Sequence, residues 1–130
     1  MKIQFLLKNT GMYERLGIMT LSSTLKKKGH DVRLNLTEEA GEKQIIERVK
    51  DYKPDVLAYS VMTGEHIYHI ELNQMVRSHY DAFSVFGGPH PTYSPEMIEK
   101  DNVDAICRGE GETYFLELIE KLEKNKDFYE

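Results

Sequence analysis

The sequence predicts a three-layer α/β domain with a five-stranded parallel sheet in the order 2-1-3-4-5. Two observations carry this. First, short apolar runs alternate with longer segments of helical period in a βαβαβαβαβα pattern. Connections of that length give right-handed crossovers and a parallel sheet covered on both faces. Second, only the second strand alternates apolar with polar residues, which suits a place near the sheet edge.

Ile3-Gln4-Phe5-Leu6-Leu7 reads as a strand buried on both faces. Lys8 to Tyr13 is a loop holding Asn9, Thr10 and Gly11. From Leu16 the period becomes helical, with Ile18, Leu21, Ser22 and Leu25 on one face. Lys26, Lys27 and Lys28 fill the last turn and Gly29 stops it. Val32, Leu34 and Leu36 form the alternating strand, and Thr37 to Gly41 a polar loop. Ile45, Ile46, Val49 and Tyr52 trace a second helix, closed by Lys53-Pro54.

Val56 to Met62 is a central strand, broken by Thr63-Gly64. Glu65 to Tyr80 is a third helix with Ile67, Ile70, Leu72, Met75 and Val76 inward. Ala82 to Phe86 is a buried strand, ended by Gly87-Gly88. A Pro-rich loop follows, and Pro95 starts a short helix through Lys100. Val103 to Cys107 is the fifth strand. Glu110 to Lys124 is the last helix, with Tyr114, Phe115, Leu118, Ile119 and Leu122 on its buried stripe. Residues 125–130 form a polar tail, of the kind a domain boundary leaves.

Composition narrows the function. At 130 residues the chain is one domain's worth, with 40% apolar residues and 9 Gly, and it folds without staples. Its 22 acidic against 17 basic residues argue against a nucleic-acid groove or an anionic membrane face. A single cysteine, Cys107, rules out an internal disulfide, a Cys-rich zinc site and a self-contained iron–sulfur cluster. It suits a reducing cytosol, and the sequence shows neither a signal-peptide core nor a membrane span. The expected setting is cytoplasmic.

In such folds ligands bind beyond the carboxyl ends of the strands. Four loops make that edge: 9–17, 60–65, 87–93 and 108–112. Seven of the 9 glycines fall there: Gly11, Gly17, Gly64, Gly87, Gly88, Gly109 and Gly111. Tight turns use glycine in any case, but this concentration favours a bulky ligand. Familiar chemistries are absent. No G-x-x-x-x-G-K-[ST] or G-x-G-x-x-G follows the first strand, and no G-x-S-x-G turn occurs. The first loop lacks the acidic cluster that holds magnesium in receiver domains. It also lacks the Ser/Thr-rich phosphate loop of a flavodoxin.

Of the histidines, His66 and His69 stand three apart on a helix without an indicated third metal ligand, and read as surface residues. His30 and His79 read as solvated. His90 follows Gly87-Gly88-Pro89 at the ligand edge, where ligand contact and a loop-stabilising hydrogen bond stand equally open. Cys107 reads as a small buried hydrophobe. Glu110 sits where a carboxylate favours the helix dipole.

Four segments then match a family in order: Leu16-Gly17-Ile18, Ser60-Val61-Met62-Thr63, Phe86-Gly87-Gly88-Pro89-His90-Pro91-Thr92 and Arg108-Gly109-Glu110-Gly111-Glu112. The chain resembles, from about Lys2 to Lys124, the N-terminal cobalamin (vitamin B12)-binding domain of B12-dependent radical SAM enzymes. These include the magnesium-protoporphyrin monomethyl ester oxidative cyclase group and many methyltransferases. The resemblance implies a Rossmann-like, flavodoxin-like domain over residues 1–124, with 125–130 as tail or boundary to a further domain. It implies cofactor contacts from Leu16, Gly17, Ser60, Val61, Met62, Thr63, Gly87, Gly88, Pro89, His90, Gly109, Glu110 and Gly111.

The broader family carries D-x-H-x-x-G, S-x-L and G-G. Ser60 takes the serine position beside the dimethylbenzimidazole tail, and Met62 the leucine position. Gly87-Gly88 leave room for that tail, and Gly17 is the last glycine of the first motif. There the chain departs. Met12 stands where the Asp would be and Glu14 where the His would be, so the loop offers cobalt no histidine; only Tyr13, Glu14 or Arg15 could approach. The implied binding is base-off and histidine-off.

The three-cysteine radical SAM motif is absent. The chain alone cannot cleave S-adenosylmethionine reductively, so a 4Fe-4S cluster and S-adenosylmethionine would belong to a radical SAM domain of the same polypeptide or a partner chain. Two other function classes stay open. One is a flavodoxin-like protein without cofactor that acts through protein contacts. The other is a small enzyme using Glu14, His90 and Glu110 as acid–base groups.

Overall fold

The structure, a computed structural model, describes residues 1–8, 12–61, 65–88, 91, 94–107 and 111–124; side chains are described in all of these except 12–17 and 111–112. The elements run β1 (Lys2–Leu7), α1 (Met12–Lys27), β2 (Asp31–Leu36), α2 (Glu42–Tyr52), β3 (Val56–Ser60), α3 (His66–Arg77), β4 (Phe83–Gly87), a 3₁₀ turn (Pro95–Glu99), β5 (Ala105–Ile106) and α4 (Gly111–Lys124). The sheet order is β2-β1-β3-β4-β5, with every pairing parallel, as the alternation predicts.

The central strands β1, β3 and β4 are buried on both sides, so the sheet divides two cores. Ile3, Phe5, Ala58 and Val85 face α1 and α4 and pack with Ile18, Leu25, Phe115 and Ile119. Leu6, Leu57, Tyr59 and Phe86 face α2 and α3 and pack with Ile45, Val49, Ile70 and Val76. The helix ends follow the sequence signals. The N–H groups of Gly29 and His30 donate to the carbonyls of Lys26 and Leu25, and Gly29 takes φ +90°, closing α1 with a Schellman pair. Lys53 caps α2 in the left-handed region, just before Pro54.

The structure corrects the sequence reading at several points. Helix α1 begins at Met12, so Met12 to Gly17, read as loop, are helical. On β2 only Val32 of the alternating set is buried; Leu34 and Leu36 are 52% and 43% exposed. The strand lies at the sheet edge, so its apolar face reaches beyond the helix that should cover it. The buried residue on its other side is Asn35, whose carbonyl oxygen accepts from the Arg48 guanidinium at 3.1 Å. Strand β5 contracts to two residues, though Val103 and Cys107 beside it are buried. Tyr114, expected inside, is exposed.

Helix α3 shows the largest difference. Ile67 is exposed, while His69 and Asn73 are buried. The inward stripe holds polar residues because β4 and the approach to β5 offer them partners. Ser84 Oγ donates to Asn73 Oδ1 at 2.6 Å, and Asn73 Nδ2 donates to the Asn102 carbonyl at 2.7 Å. Arg77 pairs with Asp104 at 2.6 Å. Hydrogen bonds satisfied in this way let polar groups enter a core. His30, read as solvated, is also buried; its Nδ1 lies 3.1 Å from the Met1 amine and 3.4 Å from the Glu123 carboxylate.

Among the described residues three buried side-chain oxygens lack a hydrogen-bond partner: Gln4 Oε1, Glu65 Oε2 and the Tyr59 hydroxyl. The Tyr59 ring stacks on Phe86 at 4.5 Å, but its hydroxyl makes no hydrogen bond. Burial raises its pKa well above the ordinary phenol range. Removing an orphaned hydroxyl while keeping the ring removes a desolvation penalty. Tyr59→Phe is therefore expected to stabilise the fold by about 1 kcal/mol, read from urea denaturation. A loss of stability would mean the hydroxyl has a partner in the native protein.

Candidate functional site

The site emerges from how side-chain size changes along two neighbouring strands. On the face toward α1 and α4, β3 presents Val56, Ala58 and Ser60 in turn. The paired positions of β4 are Phe83, Val85 and Gly87. Alternation puts these residues on one face, and both series shrink toward the carboxyl edge. Helices packed on the large residues then stand away from the sheet at the small ones.

The gap is a partly open cavity of about 60 Å³. Its floor is Ala58 and Val85, its roof Leu21 of α1 and Phe115 of α4, and Ser60, Gly87 and Gly88 line its mouth. Phe5 and Cys107 complete its sides. Cys107 is buried, and burial pushes its thiol pKa up to about 11, so it remains a neutral thiol at physiological pH.

The two mouth glycines differ. Among the described residues, a Cβ on Gly87 would meet only Cys107, with Cβ at 3.7 Å and the carbonyl oxygen at 3.9 Å, which is ordinary contact. Gly88 has φ +100°, and a Cβ there would lie 2.9 Å from Val61 N and 3.0 Å from Val61 O. Gly88 is thus required by the backbone, whereas Gly87 leaves space that the fold itself does not need.

The structure brings Ser60, Gly87 and Gly88 together, with Val61 fully buried behind them. Leu16 and Gly17 lie more than a turn inside α1, and Gly111 is the first residue of α4. Met62, Thr63, Pro89, His90, Gly109 and Glu110 lie outside the described residues, as do 125–130. The sequence reading missed Phe5, Leu21, Ala58, Tyr59, Val85, Cys107 and Phe115 as cavity residues. Registering β3 against β4 exposes the paired taper that finds Ala58.

The other side of the same edge is more polar. Thr37 Oγ1 and Tyr68 Oη lie 2.6 Å apart, and Lys8 Nζ stands over the Tyr68 ring. His69 packs edge-on to Tyr59 and Tyr68, with its Nδ1 2.9 Å from the Glu65 carbonyl. Burial holds its pKa below the ordinary histidine value. Below about pH 6.5 the unfolded chain therefore takes up a proton that the folded chain does not. Stability should be full above that pH and fall as pH drops, by at most about 1.4 kcal/mol per pH unit for this one group. Urea titrations at descending pH, with His69→Gln flattening the slope, check this; an unchanged slope would clear His69.

A larger hollow of about 400 Å³ lies at the opposite, amino-terminal edge. Its cation, Arg77, is already paired with Asp104 and Asp81. Among the described residues no group of His, Cys, Asp or Glu is arranged to hold a metal ion. Among them, too, no helix is long and apolar enough to cross a membrane.

The family model of the B12 binding domain matches residues 6–119. The anaerobic magnesium-protoporphyrin IX monomethyl ester cyclase of Synechocystis sp. is 34% identical over 120 residues, covering 86% of this chain and 24% of that protein. An uncharacterized methyltransferase of Pyrococcus horikoshii is 30% identical over 117 residues, covering 86% of this chain and 25% of that protein. Among solved structures, the cobalamin-dependent S-adenosylmethionine radical enzyme OxsB matches with TM-score 0.73 at 25% identity, over 95% of this chain and 19% of that one. The chain thus spans about a quarter of the curated relatives it matches.

Proposed function

The chain belongs to the B12-binding domain family, and on that premise we propose that residues 1–124 hold cobalamin at the carboxyl edge of the sheet for a radical SAM domain that carries out the chemistry. The observation that carries this reading is the paired taper of β3 and β4, which opens a cavity between sheet and helices. The residues present fit the cofactor's nucleotide tail: a flat ring needs a slot without side chains on one wall. Ala58 and Gly87 clear that wall, and the space at Gly87 serves no need of the fold. The opposing wall is made of side chains, Leu21 and Phe115, which would have to turn outward to admit the ring, because the cavity of about 60 Å³ is smaller than the ring.

Cobalamin, once bound, supplies a cobalt that carries a methyl group or exchanges electrons. This chain's own part is to hold and orient it. Ser60 hydrogen-bonds the tail, and Leu16, Gly17, Val61, Met62, Thr63, Gly88, Pro89, His90, Gly109, Glu110 and Gly111 make up the rest of the rim. The tail base lies in the cavity and no histidine reaches the metal. The 4Fe-4S cluster and S-adenosylmethionine belong to another domain or chain, and the setting is the cytoplasm.

Equilibrium dialysis of the purified protein against hydroxocobalamin and against FMN tests the reading. Retention of cobalamin and loss of FMN is the expected result. Tight FMN binding without cobalamin retention would overturn it, and retention of neither would favour the cofactor-free reading.

A further inference from the structure

We infer that the cavity selects among corrinoids by the polarity of their lower base, accepting a benzimidazole or phenol ring and rejecting a purine. The inference rests on the cobalamin reading above and concerns which member of that cofactor class the site takes.

The argument counts polar atoms on each side. Phe5, Leu21, Ala58, Val85 and Phe115 give the cavity carbon surface throughout. Among the described residues two side-chain polar groups line it: the Ser60 hydroxyl at the mouth, and the Cys107 thiol, which burial keeps neutral. A thiol is a weak donor and a weak acceptor, so among the described lining residues the hydroxyl is the one strong side-chain partner. A benzimidazole released from cobalt carries one free ring nitrogen, which one hydroxyl satisfies. A phenol ring linked through its oxygen carries none. An adenine adds an amino group and two further ring nitrogens, and all of these would leave water for carbon walls. Backbone does not rescue them: the floor is interior sheet whose N–H and C=O groups are engaged in the β3–β4 and β4–β5 ladders. A site that buries polar atoms without partners discriminates strongly against the ligand that brings them.

Binding of four corrinoids to the purified protein, followed by equilibrium dialysis and by the visible spectrum of the retained corrinoid, decides the matter. The four carry a benzimidazole, a phenol ring, an adenine, or no tail at all. The benzimidazole and phenol forms should bind within a few-fold of each other, and the adenine form at least tenfold more weakly. Cys107→Ser, which places a true hydroxyl in the wall with little change of volume, should narrow that ratio. Equal binding of the adenine and benzimidazole forms by the unaltered protein would overturn the inference. Equal binding of all four, the tail-less form included, would also overturn it while leaving the cobalamin reading intact. Retention of none would remove the cobalamin reading itself. The comparison in the unaltered protein stands whether or not Cys107→Ser folds.

Discussion

Gly87→Leu is expected to leave the fold intact and to weaken the proposed cobalamin binding by about a hundredfold or more, whereas Gly88→Val is expected to unfold the domain before binding can be measured. The difference follows from the two backbones. Gly87 closes β4 on the same face as Val85, and only Cys107 lies near its missing Cβ, at ordinary contact distance. An isobutyl group there grows into open cavity, which is the volume assigned to the tail base. Folding tolerates it because no residue of the core is displaced; the ligand does not.

At Gly88 the φ of +100° strains any L-residue, and a β-branched one most. The missing Cβ would press on Val61 N and O, which are backbone atoms with no rotamer to yield. Strain of that kind costs about 1–3 kcal/mol before the clash is added. Circular dichroism melting beside equilibrium dialysis separates the two effects. Normal cobalamin retention by Gly87→Leu would place the tail outside the cavity. A melting temperature that fell together with binding in Gly87→Leu would show that this glycine, too, serves the fold.

The contrast also marks what a sequence can show. Both glycines are visible in the run Phe86-Gly87-Gly88-Pro89, and the resemblance assigns both to one slot. Nothing in the string says which one the backbone requires, because φ depends on where Val61 lies, and that is set by the pairing of β3 with β4. The strand order was legible, since continuous apolar runs separated by amphipathic helices admit few arrangements. Helix faces were legible where burial is apolar, as at Ile45 and Val49.

They were misread where polar side chains find partners from distant segments. Asn73 is buried because Ser84 and Asn102, 11 and 29 residues away, receive it. Periodicity sees an amide and assigns it to solvent, and Ile67 takes its place inward by default. Leu34 and Leu36 fail in the opposite sense. Alternation is a local signal, but how much of an edge strand a helix covers is settled by tertiary packing.

In the Co(II) state of the bound cofactor, electron paramagnetic resonance should show no nitrogen superhyperfine splitting. The expectation follows from where three of the five histidines lie and from the sequence of the first loop. The start of α1 has Met12 and Glu14 where the family motif has Asp and His. His30 is held between the Met1 amine and Glu123, near the start of β1 and away from the ligand edge. His79 follows the last turn of α3, toward that same far edge. His69 is buried in the α2–α3 layer, with one ring nitrogen on the Glu65 carbonyl and its ring between Tyr59 and Tyr68. His66 opens α3 near the ligand edge and His90 lies outside the described residues, so His66→Ala and His90→Ala serve as controls. On the proposed placement beside Ser60 and Gly87 the tail base would also be absent from cobalt, so the same spectrum reports on the cavity. A splitting abolished in one of the two variants would assign the axial ligand to that histidine. A splitting that survives both would put the base on the metal, empty the cavity of its ligand, and overturn the tail placement and the lower-base selectivity together.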